Sequence, residues 1–225
     1  MAIYDCSVDT ELLTGMRLAR AAIGRGELIV IPTDTVYGVA ADAFTPKAVA
    51  RLLEAKGRER TAPPPVLIPG FEQLDALAER VPDEVRALAE AFWPGGLTII
   101  LPARESLAWD LGETRGTVAL RMPSNRVALE LLAETGPLAV SSANLTTQPA
   151  AMTAAAAMEM LGDSVAVYLE DGPAGGDYPD AEASTGSTII DATGLLTSRG
   201  TLRIVRSGVI SDAAIRDLVG ADKCA

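Results

Sequence analysis

The apolar and polar residues of this chain change their spacing several times, and each change predicts a change of secondary structure. Between residues 10 and 25 the apolar residues recur at helical spacing, and Gly24 and Gly26 are suited to end that helix. The run 28–31 that follows is continuously apolar, which is typical of a buried strand, and Pro32 ends it. The pattern therefore predicts a helix followed by a core strand.

The remainder of the chain continues to interleave helical and strand-like spacing. Six further helices are predicted, at 46–55, 71–79, 82–92, 124–135, 150–161 and 211–219. Five further strands are predicted, at 97–101, 117–121, 165–169, 188–191 and 201–206. Segment 137–140 is another short apolar run. The stretch 171–187 is the most loop-like part of the chain, because it is dense in glycine, proline and aspartate.

Interleaved strands and helices predict an α/β domain with a mixed sheet. The chain has no internal repeat and no break in composition that would separate a second domain, so residues 1–225 are interpreted as one domain with a core from about residue 8 to 215. Two helix starts carry capping candidates. Thr45 precedes Pro46, and either Ser124 or Asn125 precedes the helix that ends near residue 135.

Composition restricts the chemistry more than the fold. The chain has 225 residues, 48% of them hydrophobic, and no histidine. The lack of histidine excludes Ser-His-Asp and Cys-His nucleophile pairs, histidine-ligated zinc and imidazole general bases. The net charge of −11 disfavours a broad electrostatic grip on nucleic acid. No stretch approaches the roughly 18 consecutive apolar residues of a membrane helix, so a soluble cytoplasmic protein without membrane contact is expected.

Two polar segments directly follow apolar runs. Thr33, Asp34 and Thr35 follow the strand that ends at residue 31, and hydroxyl and carboxylate groups at a strand end suit a ligand site. The segment 141–144 (SSAN) follows the run 137–140, and its small side chains can approach phosphate or carboxylate oxygens closely. A plain turn stabilised by local hydrogen bonds explains either composition as well.

A cationic cluster, Lys56, Arg58 and Arg60, stands out in this acidic chain. In an extended backbone, alternate side chains share one face, so the three cations would converge on phosphates. The alternative is a solvated turn after a helix. No phosphate-binding loop of the Walker type and no dinucleotide-binding glycine motif occurs in the sequence.

Two more arginines, Arg121 and Arg206, end predicted strands and are followed closely by proline or glycine. A cation at a strand end is a candidate for anion binding, and Ser187 and Thr188 add hydroxyl groups just before another strand. Each of these signals is weak alone, but their order along one chain is informative.

In that order the sequence resembles the YrdC-like family, the threonylcarbamoyl-AMP synthases. The matching motifs are PTDTVYG at 32–38, KGR at 56–58, WPGGLT at 93–98, VALRMP at 118–123, SSAN at 141–144, STIID at 187–191 and VRSG at 205–208. The resemblance implies a single α/β domain with a twisted mixed sheet, helices packed around it and a concave, positively charged cavity. Longer relatives carry a further C-terminal domain, so this chain resembles the short form.

The resemblance also implies an activity. Relatives combine L-threonine, bicarbonate and ATP with Mg²⁺, release pyrophosphate, and pass threonylcarbamoyl-AMP to a separate transferase that modifies adenosine 37 of transfer RNAs reading ANN codons. The chemistry needs no protein nucleophile, and direct contact with transfer RNA is expected to be weak or indirect. A chain without histidine can position such substrates with cations and hydroxyls.

Roles of individual residues follow from the resemblance, position by position. Those implied to bind ATP are Lys56, Arg58, Thr117, Ser142, Asn144 and Arg206, with Lys56 and Arg58 positioning the phosphates for catalysis. Those implied to bind threonine are Thr35, Arg121, Ser142 and Ser187. Metal ligands are not assigned; Asp34 is one candidate, and a metal held mainly by phosphates is the other.

The sequence departs from many relatives just after the cationic cluster. Those relatives carry an Asn-Pro-Leu-like segment and then a histidine, where this chain has Ala62 and Leu67. Backbone groups or Arg60 are candidates to replace them. Two other functions therefore stay open: a binding module for RNA or nucleotides without synthase activity, and a paralogue that uses another acceptor.

Overall fold

The computed structural model describes residues 2–178 and 185–224, and the ten strands of this part form one sheet. The strands are β1 (Ile3–Asp5), β2 (Ile29–Ile31), β3 (Gly38–Asp42), β4 (Val66–Leu67), β5 (Leu97–Pro102), β6 (Thr117–Arg121), β7 (Leu138–Ser142), β8 (Val167–Glu170), β9 (Thr188–Asp191) and β10 (Arg203–Arg206). The helices are α1 (Asp9–Gly24), α2 (Pro46–Ala55), α3 (Glu72–Leu77), α4 (Asp83–Phe92), α5 (Arg126–Thr135), α6 (Ala154–Leu161) and α7 (Asp212–Val219).

The sheet is mixed. Its strand order is β1-β8-β2-β3-β7-β4-β6-β5-β9-β10. The parallel pairs are β1–β8, β8–β2, β4–β6 and β5–β9, and the antiparallel pairs are β2–β3, β3–β7, β7–β4, β6–β5 and β9–β10. The predicted α/β fold with a mixed sheet is therefore confirmed.

Helices cover the two faces of the sheet unequally. On one face, α2 and α6 pack over β2, β3 and β8, and α3, α4 and α7 pack over β4, β5, β6 and β9. On the other face, α1 and α5 cover β2, β7 and β8. In the described part of the chain, no helix packs on this second face beyond β4, where β6, β5 and β9 lie. That uncovered surface is where a cavity forms.

Most predicted elements are present, with ends that differ by a few residues. Asn125 caps α5, since its side chain accepts a hydrogen bond from Ala128 N at 3.1 Å. Thr45 occupies the N-cap position of α2, but it does not cap the helix with its side chain, because its hydroxyl donates to Asp42 Oδ2 at 2.6 Å. None of the described helices is both long and apolar enough to cross a membrane.

The predicted helix at 150–161 was wrong at its start. Helix α6 begins at Ala154, with Thr153 as its cap. The preceding residues use their carbonyl groups outside the helix: Ala151 O accepts from Tyr37 N, and Met152 O accepts from Ala174 N, both at 2.9 Å. These contacts hold the segment before α6 extended beside the loop that follows β8.

Candidate active site

A cavity of about 440 Å³ lies on the uncovered face of the sheet. Its polar lining residues include Thr33, Thr35, Arg58, Thr98, Thr114, Thr117, Arg121, Ser141, Ser142, Thr185, Ser187 and Arg206. Its apolar lining residues include Pro63, Pro64, Pro65, Leu67, Ile100, Leu111, Val118, Ala119, Val140, Ile189 and Val205. Seven of the nine residues predicted to bind substrates therefore meet in one place, although they come from the whole length of the chain.

The floor of the cavity follows from strand alternation. In β5, Leu97, Ile99 and Leu101 are fully buried in the core, whereas Thr98 and Ile100 line the cavity. Successive side chains of a strand point to opposite faces, so a threonine between core residues marks the cavity side. The same alternation places Thr117, Ala119 and Arg121 of β6 over the cavity.

Arg121 lies at one end of this floor and is held at three points. Nε donates to Gly95 O at 3.0 Å, and Nη1 donates to Thr35 Oγ1 at 2.9 Å. Nη2 lies 2.8 Å from Asp34 Oδ1, in an ion pair between side chains that are 7% and 0% exposed. This contact lacks the geometry of a regular hydrogen bond, and Nη2 has no hydrogen-bond partner among the described residues. Since a guanidinium has five N–H groups, donors remain for a ligand.

Arg206 and Ser187 form a second polar group beside Arg121. The guanidinium of Arg206 donates to Ser187 O, at 3.1 Å from Nε and 2.6 Å from Nη2, and Nη2 also lies 3.0 Å from Ser187 Oγ. Ser187 Oγ is 2.8 Å from Thr98 Oγ1. The sequence implied that Ser187 binds threonine and Arg206 binds ATP, and in the structure these two residues contact each other directly.

Arg58 and Thr117 lie toward the other end of the floor. β4 runs parallel to β6 and antiparallel to β7, so the last residues of β6 and β7, Arg121 and Ser142, are at opposite ends of these strands. Arg58 Nη1 donates to Ser141 Oγ at 2.9 Å, next to Ser142. Thr117 begins β6, at the end away from Arg121. The cavity therefore has two polar ends separated by the sheet floor.

Lys56 and Asn144 lie beside the cavity and are not among its lining residues. The Lys56 ammonium donates to the carbonyl oxygens of Ser142 and Asn144, and Asn144 Oδ1 is at 3.3 Å. The carbonyl of Lys56 accepts from Thr146 N at 2.9 Å and Thr146 Oγ1 at 2.8 Å. Lys56 thus fixes the segment after β7 with both its ammonium group and its main-chain carbonyl. Its predicted contact with phosphate stays a prediction and requires the ammonium to leave these carbonyls.

The prediction that three cations converge from an extended segment was wrong. Lys56 ends a helix and Gly57 has a φ of 59°, so the backbone is not extended there. Arg60 points away from the cavity, where Nη2 binds Asp110 at 2.7 and 3.0 Å in an exposed ion pair. Arg60 is therefore not placed to replace the missing asparagine or histidine.

The cavity brings cations together without matching anions in its lining. Its described lining residues include Arg58, Arg121 and Arg206 and no aspartate or glutamate. Burial lowers the pKa of Arg58, and burial followed by the charges of Arg121 and Arg58 lowers the pKa of Arg206. Burial and Arg58 lower the pKa of Lys56 to about 8, although three oxygen acceptors around its ammonium favour the charged form. An anionic ligand would relieve this repulsion.

Asp34 is not placed as a metal ligand in the cavity. Its carboxylate accepts from Ser124 N at 3.0 Å and from the Tyr178 hydroxyl at 3.2 Å, besides its ion pair with Arg121. No group of three or more cysteine, aspartate or glutamate side chains in 2–178 and 185–224 is arranged to hold a metal ion. No protein ligand for Mg²⁺ is therefore assigned among the described residues, and the entry of Mg²⁺ together with ATP stays a prediction.

We expect Gly208→Ala to lower the thermal unfolding midpoint. A Cβ at this position would collide with the carbonyl of Gly186 and lie 2.6 Å from Ser187 O. Backbone atoms cannot rotate away, so the cost is about 1–3 kcal/mol. Gly176→Ala is the matched control, because a Cβ there has no atom within 4 Å. Equal midpoints of the two variants in a thermal melt would contradict this prediction.

The fold agrees with comparisons to known proteins. The sequence profile of the Sua5/YciO/YrdC family, described as telomere recombination, matches residues 21–208. The chain belongs to this family. The resemblance seen in its motifs is thus confirmed.

Relatives in the Sua5/YciO/YrdC family carry names that refer to one activity. A Mycobacterium tuberculosis protein named provisionally as a threonylcarbamoyl-AMP synthase is 46% identical over 219 residues, which cover 97% of this chain and 95% of that protein. A Pyrococcus abyssi protein named threonylcarbamoyl-AMP synthase is 36% identical over 179 residues, covering 79% of this chain and 51% of that protein.

Solved structures of the family share this fold. Pyrococcus abyssi Sua5 in complex with L-threonine matches with a TM-score of 0.85 and 30% identity, covering 100% of this chain and 63% of that one. E. coli YciO matches with a TM-score of 0.73 and 22% identity, covering 89% of this chain and 91% of that one. The second match supports the fold alone.

Sequence reasoning missed several residues of the cavity. Thr98 was inside a recognised motif, and its position between apolar strand residues was the signal that marked it. The wall formed by Pro63, Pro64 and Pro65 lies between the departures Ala62 and Leu67, and no site residue was predicted there. All of the site residues implied by the resemblance fall within the described part of the chain. Part of the predicted loop 171–187 lies outside it.

Proposed function

We propose that this protein is a threonylcarbamoyl-AMP synthase that joins L-threonine, bicarbonate and ATP and releases pyrophosphate. The observation that carries the proposal is the cavity itself: two polar ends, three arginines and no carboxylate among its described lining residues. Such a site suits a ligand pair with a carboxylate at one end and phosphates at the other. The names of the relatives agree with this reading.

The end with Arg121 receives threonine in this proposal. Arg121 is anchored by Asp34, Thr35 and Gly95 O, so its remaining N–H groups have a fixed direction. A pre-oriented guanidinium binds a carboxylate with two parallel hydrogen bonds at low entropic cost. The hydroxyl groups of Thr35 and Ser187 are close enough to Arg121 to meet the other polar groups of the amino acid.

The end with Arg58 receives the nucleotide. Arg58, Thr117 and Ser142 supply the cation and hydroxyl groups there, and Arg206 reaches the ligand from the junction of the two ends. The prolines at 63–65, with Val140, form an apolar wall that suits a base. In this proposal Lys56 reaches phosphate once its ammonium leaves the carbonyls of Ser142 and Asn144, and Asn144 follows the strand that carries Ser142.

The reaction proceeds by positioning. The threonine amine attacks carbon dioxide derived from bicarbonate, a C–N bond forms, and a proton leaves to give the carbamate. A carbamate oxygen then attacks the α-phosphorus of ATP, the O–P bond forms, and the bond to the β-phosphate oxygen breaks to release pyrophosphate. Arg58 and Arg206 stabilise the charge that develops on the phosphates, and no protein nucleophile takes part.

The product implies further partners. A mixed anhydride of a carbamate and a phosphate hydrolyses readily, so a transferase must consume it, and in this proposal that enzyme modifies transfer RNA. We place both proteins in the cytoplasm, where ATP and transfer RNA meet. Contact between this chain and the RNA is weak or indirect, which agrees with its net charge of −11.

One assay tests the proposal. Purified protein is incubated with ATP, Mg²⁺, bicarbonate and each of a panel of amino acids, and pyrophosphate is measured. We expect release that requires both bicarbonate and threonine. Equal release without threonine would reject the proposal. Faster release with another amino acid would establish a paralogue with a different acceptor, a possibility that Ala62 and Leu67 leave open. RNA binding without threonine-dependent release would establish a binding module.

A further inference from the structure

The family motif WPGGLT has a contact in this structure that the reaction does not explain. The hydroxyl of Tyr178, which follows the glycine-rich turn after β8, accepts a hydrogen bond from Gly96 N at 2.8 Å. A Cβ on Gly95 would lie 3.0 Å from this hydroxyl, and a Cβ on Gly96 would lie 3.2 Å from it. The absence of side chains on Gly95 and Gly96 therefore lets the Tyr178 hydroxyl pack against their backbone.

The same hydroxyl reaches the most buried carboxylate of the site. Tyr178 donates to Asp34 Oδ2 at 3.2 Å, while Asp34 Oδ1 faces Arg121 and accepts from Ser124 N. Burial, followed by the charge of Asp34, raises the pKa of Tyr178 to about 12. The phenol is therefore protonated at neutral pH and acts as the donor to Asp34.

The segment that carries Tyr178 is itself anchored. Tyr178 N donates to Gly175 O at 3.1 Å, and Ala174 N donates to Met152 O at 2.9 Å. Asn125 Nδ2 donates to Asp171 Oδ2 at 2.8 Å. The backbone just before Tyr178 is therefore fixed by contacts with α5 and with the segment before α6.

We propose that Tyr178 is a positioning residue for the threonine end of the cavity: its hydroxyl holds the Asp34 carboxylate, and Asp34 holds the guanidinium of Arg121 that receives the amino acid's carboxylate. The inference rests on the proposed function. It also assigns a task to Gly95 and Gly96, which bring Gly95 O to Arg121 Nε and Gly96 N to Tyr178.

The chain of contacts predicts an effect on one ligand only. Without the hydroxyl, one oxygen of Asp34 and the N–H of Gly96 lose a partner, and the carboxylate can rotate away from Arg121. Affinity for threonine should then fall, whereas the nucleotide end, built on Arg58 and Thr117, keeps its contacts. A general loss of structure would lower the affinity for both ligands.

The test measures binding by calorimetry to the wild type, Tyr178→Phe and Tyr168→Phe. The ligands are L-threonine and, separately, an ATP analogue with a methylene group between the α- and β-phosphorus atoms. Tyr168→Phe is the matched control, since it too removes one tyrosine hydroxyl. The Tyr168 hydroxyl donates to Gly162 O at 2.8 Å, and Tyr168 is not among the described lining residues of the cavity.

We expect the Kd for threonine to rise about tenfold in Tyr178→Phe, which corresponds to about 1.4 kcal/mol, while the Kd for the analogue changes less than twofold. Tyr168→Phe should change neither. Asp34→Asn, which keeps one acceptor oxygen at this position but removes the charge beside Arg121, should weaken threonine binding at least as much. If the wild type binds threonine and Tyr178→Phe has the same Kd for threonine, the inference is overturned but the proposed function is not. Equal weakening of threonine and analogue binding in Tyr178→Phe would have the same meaning. A wild type that binds no threonine would overturn the proposed function and the inference with it.

Discussion

We expect Arg121→Met to lower kcat/KM for threonine about a hundred- to a thousandfold, because it removes the pre-oriented partner of the carboxylate. Arg121 is also the only cation that pairs with the buried Asp34 among the described ion pairs. Its loss leaves that carboxylate unpaired, so the free energy of unfolding should fall by about 3–5 kcal/mol. Threonine-dependent pyrophosphate release and urea denaturation measure the two effects separately.

The double variant Arg121→Met, Asp34→Asn separates the contribution of Arg121 to stability from its contribution to binding. It removes both charges of the pair and keeps an oxygen at residue 34 that can accept from Ser124 N. We expect stability to return most of the way to the wild-type value while turnover stays low. Recovery of turnover in the double variant would show that Arg121 acts only through stability, against our assignment.

The second large effect concerns Arg58, for which we expect Arg58→Met to lower kcat/KM for ATP about a hundredfold or more, with little change in stability. Arg58 lines the cavity, and its hydrogen-bond acceptors in the described part of the chain are neutral: Ser141 Oγ at 2.9 Å and Pro63 O at 3.5 Å. Removing it leaves no buried charge unpaired, but it takes a cation from the phosphates. Steady-state pyrophosphate release and thermal melts provide the two readouts.

Lys56→Met is the informative counterpart, because Lys56 and Arg58 stand two residues apart with different surroundings. Loss of the Lys56 ammonium leaves the carbonyls of Ser142 and Asn144 without this donor, at a cost of about 1–3 kcal/mol for each group that stays unsatisfied. We therefore expect Lys56→Met to lower both stability and turnover. A Lys56→Met protein as stable as the wild type would show that these carbonyl contacts carry no weight, and full activity in Arg58→Met would reject the nucleotide end.

Much of the fold was predictable because its elements carry local signals. Strand β2 is continuously apolar, and helix α5 has Asn125 at its start. Three of the described strands escaped prediction, β1, β3 and β4, and the two inside the sheet lack such signals. β3 contains two alanines and a glycine, which have low strand propensity, and β4 has two residues. Both form because they are paired on two sides within the sheet, and no local pattern reports that.

The site was predictable in its members but not in its arrangement. Arg121, Ser142 and Arg206 were recognised as strand-end residues, and all three line the cavity. Strand ends alone indicated ligand sites but not how they lie relative to one another. The structure instead spreads the polar groups along one face, because β6 and β7 run in opposite directions on either side of β4. The Lys56 side chain is buried against the carbonyls that follow β7, and the Arg60 side chain points to the surface. Both orientations depend on tertiary contacts that a five-residue motif does not encode.

The separation of Arg121 and Arg58 along the sheet floor has a consequence for turnover. In the proposed function, threonine engages one end and ATP the other, and threonylcarbamoyl-AMP joins the threonine and the adenylate in one molecule that engages both ends together. A tethered pair of weak contacts holds far longer than either contact alone. We therefore expect the enzyme to retain its unstable product, so that departure of the product, rather than the bond-forming steps, sets the pace of the cycle.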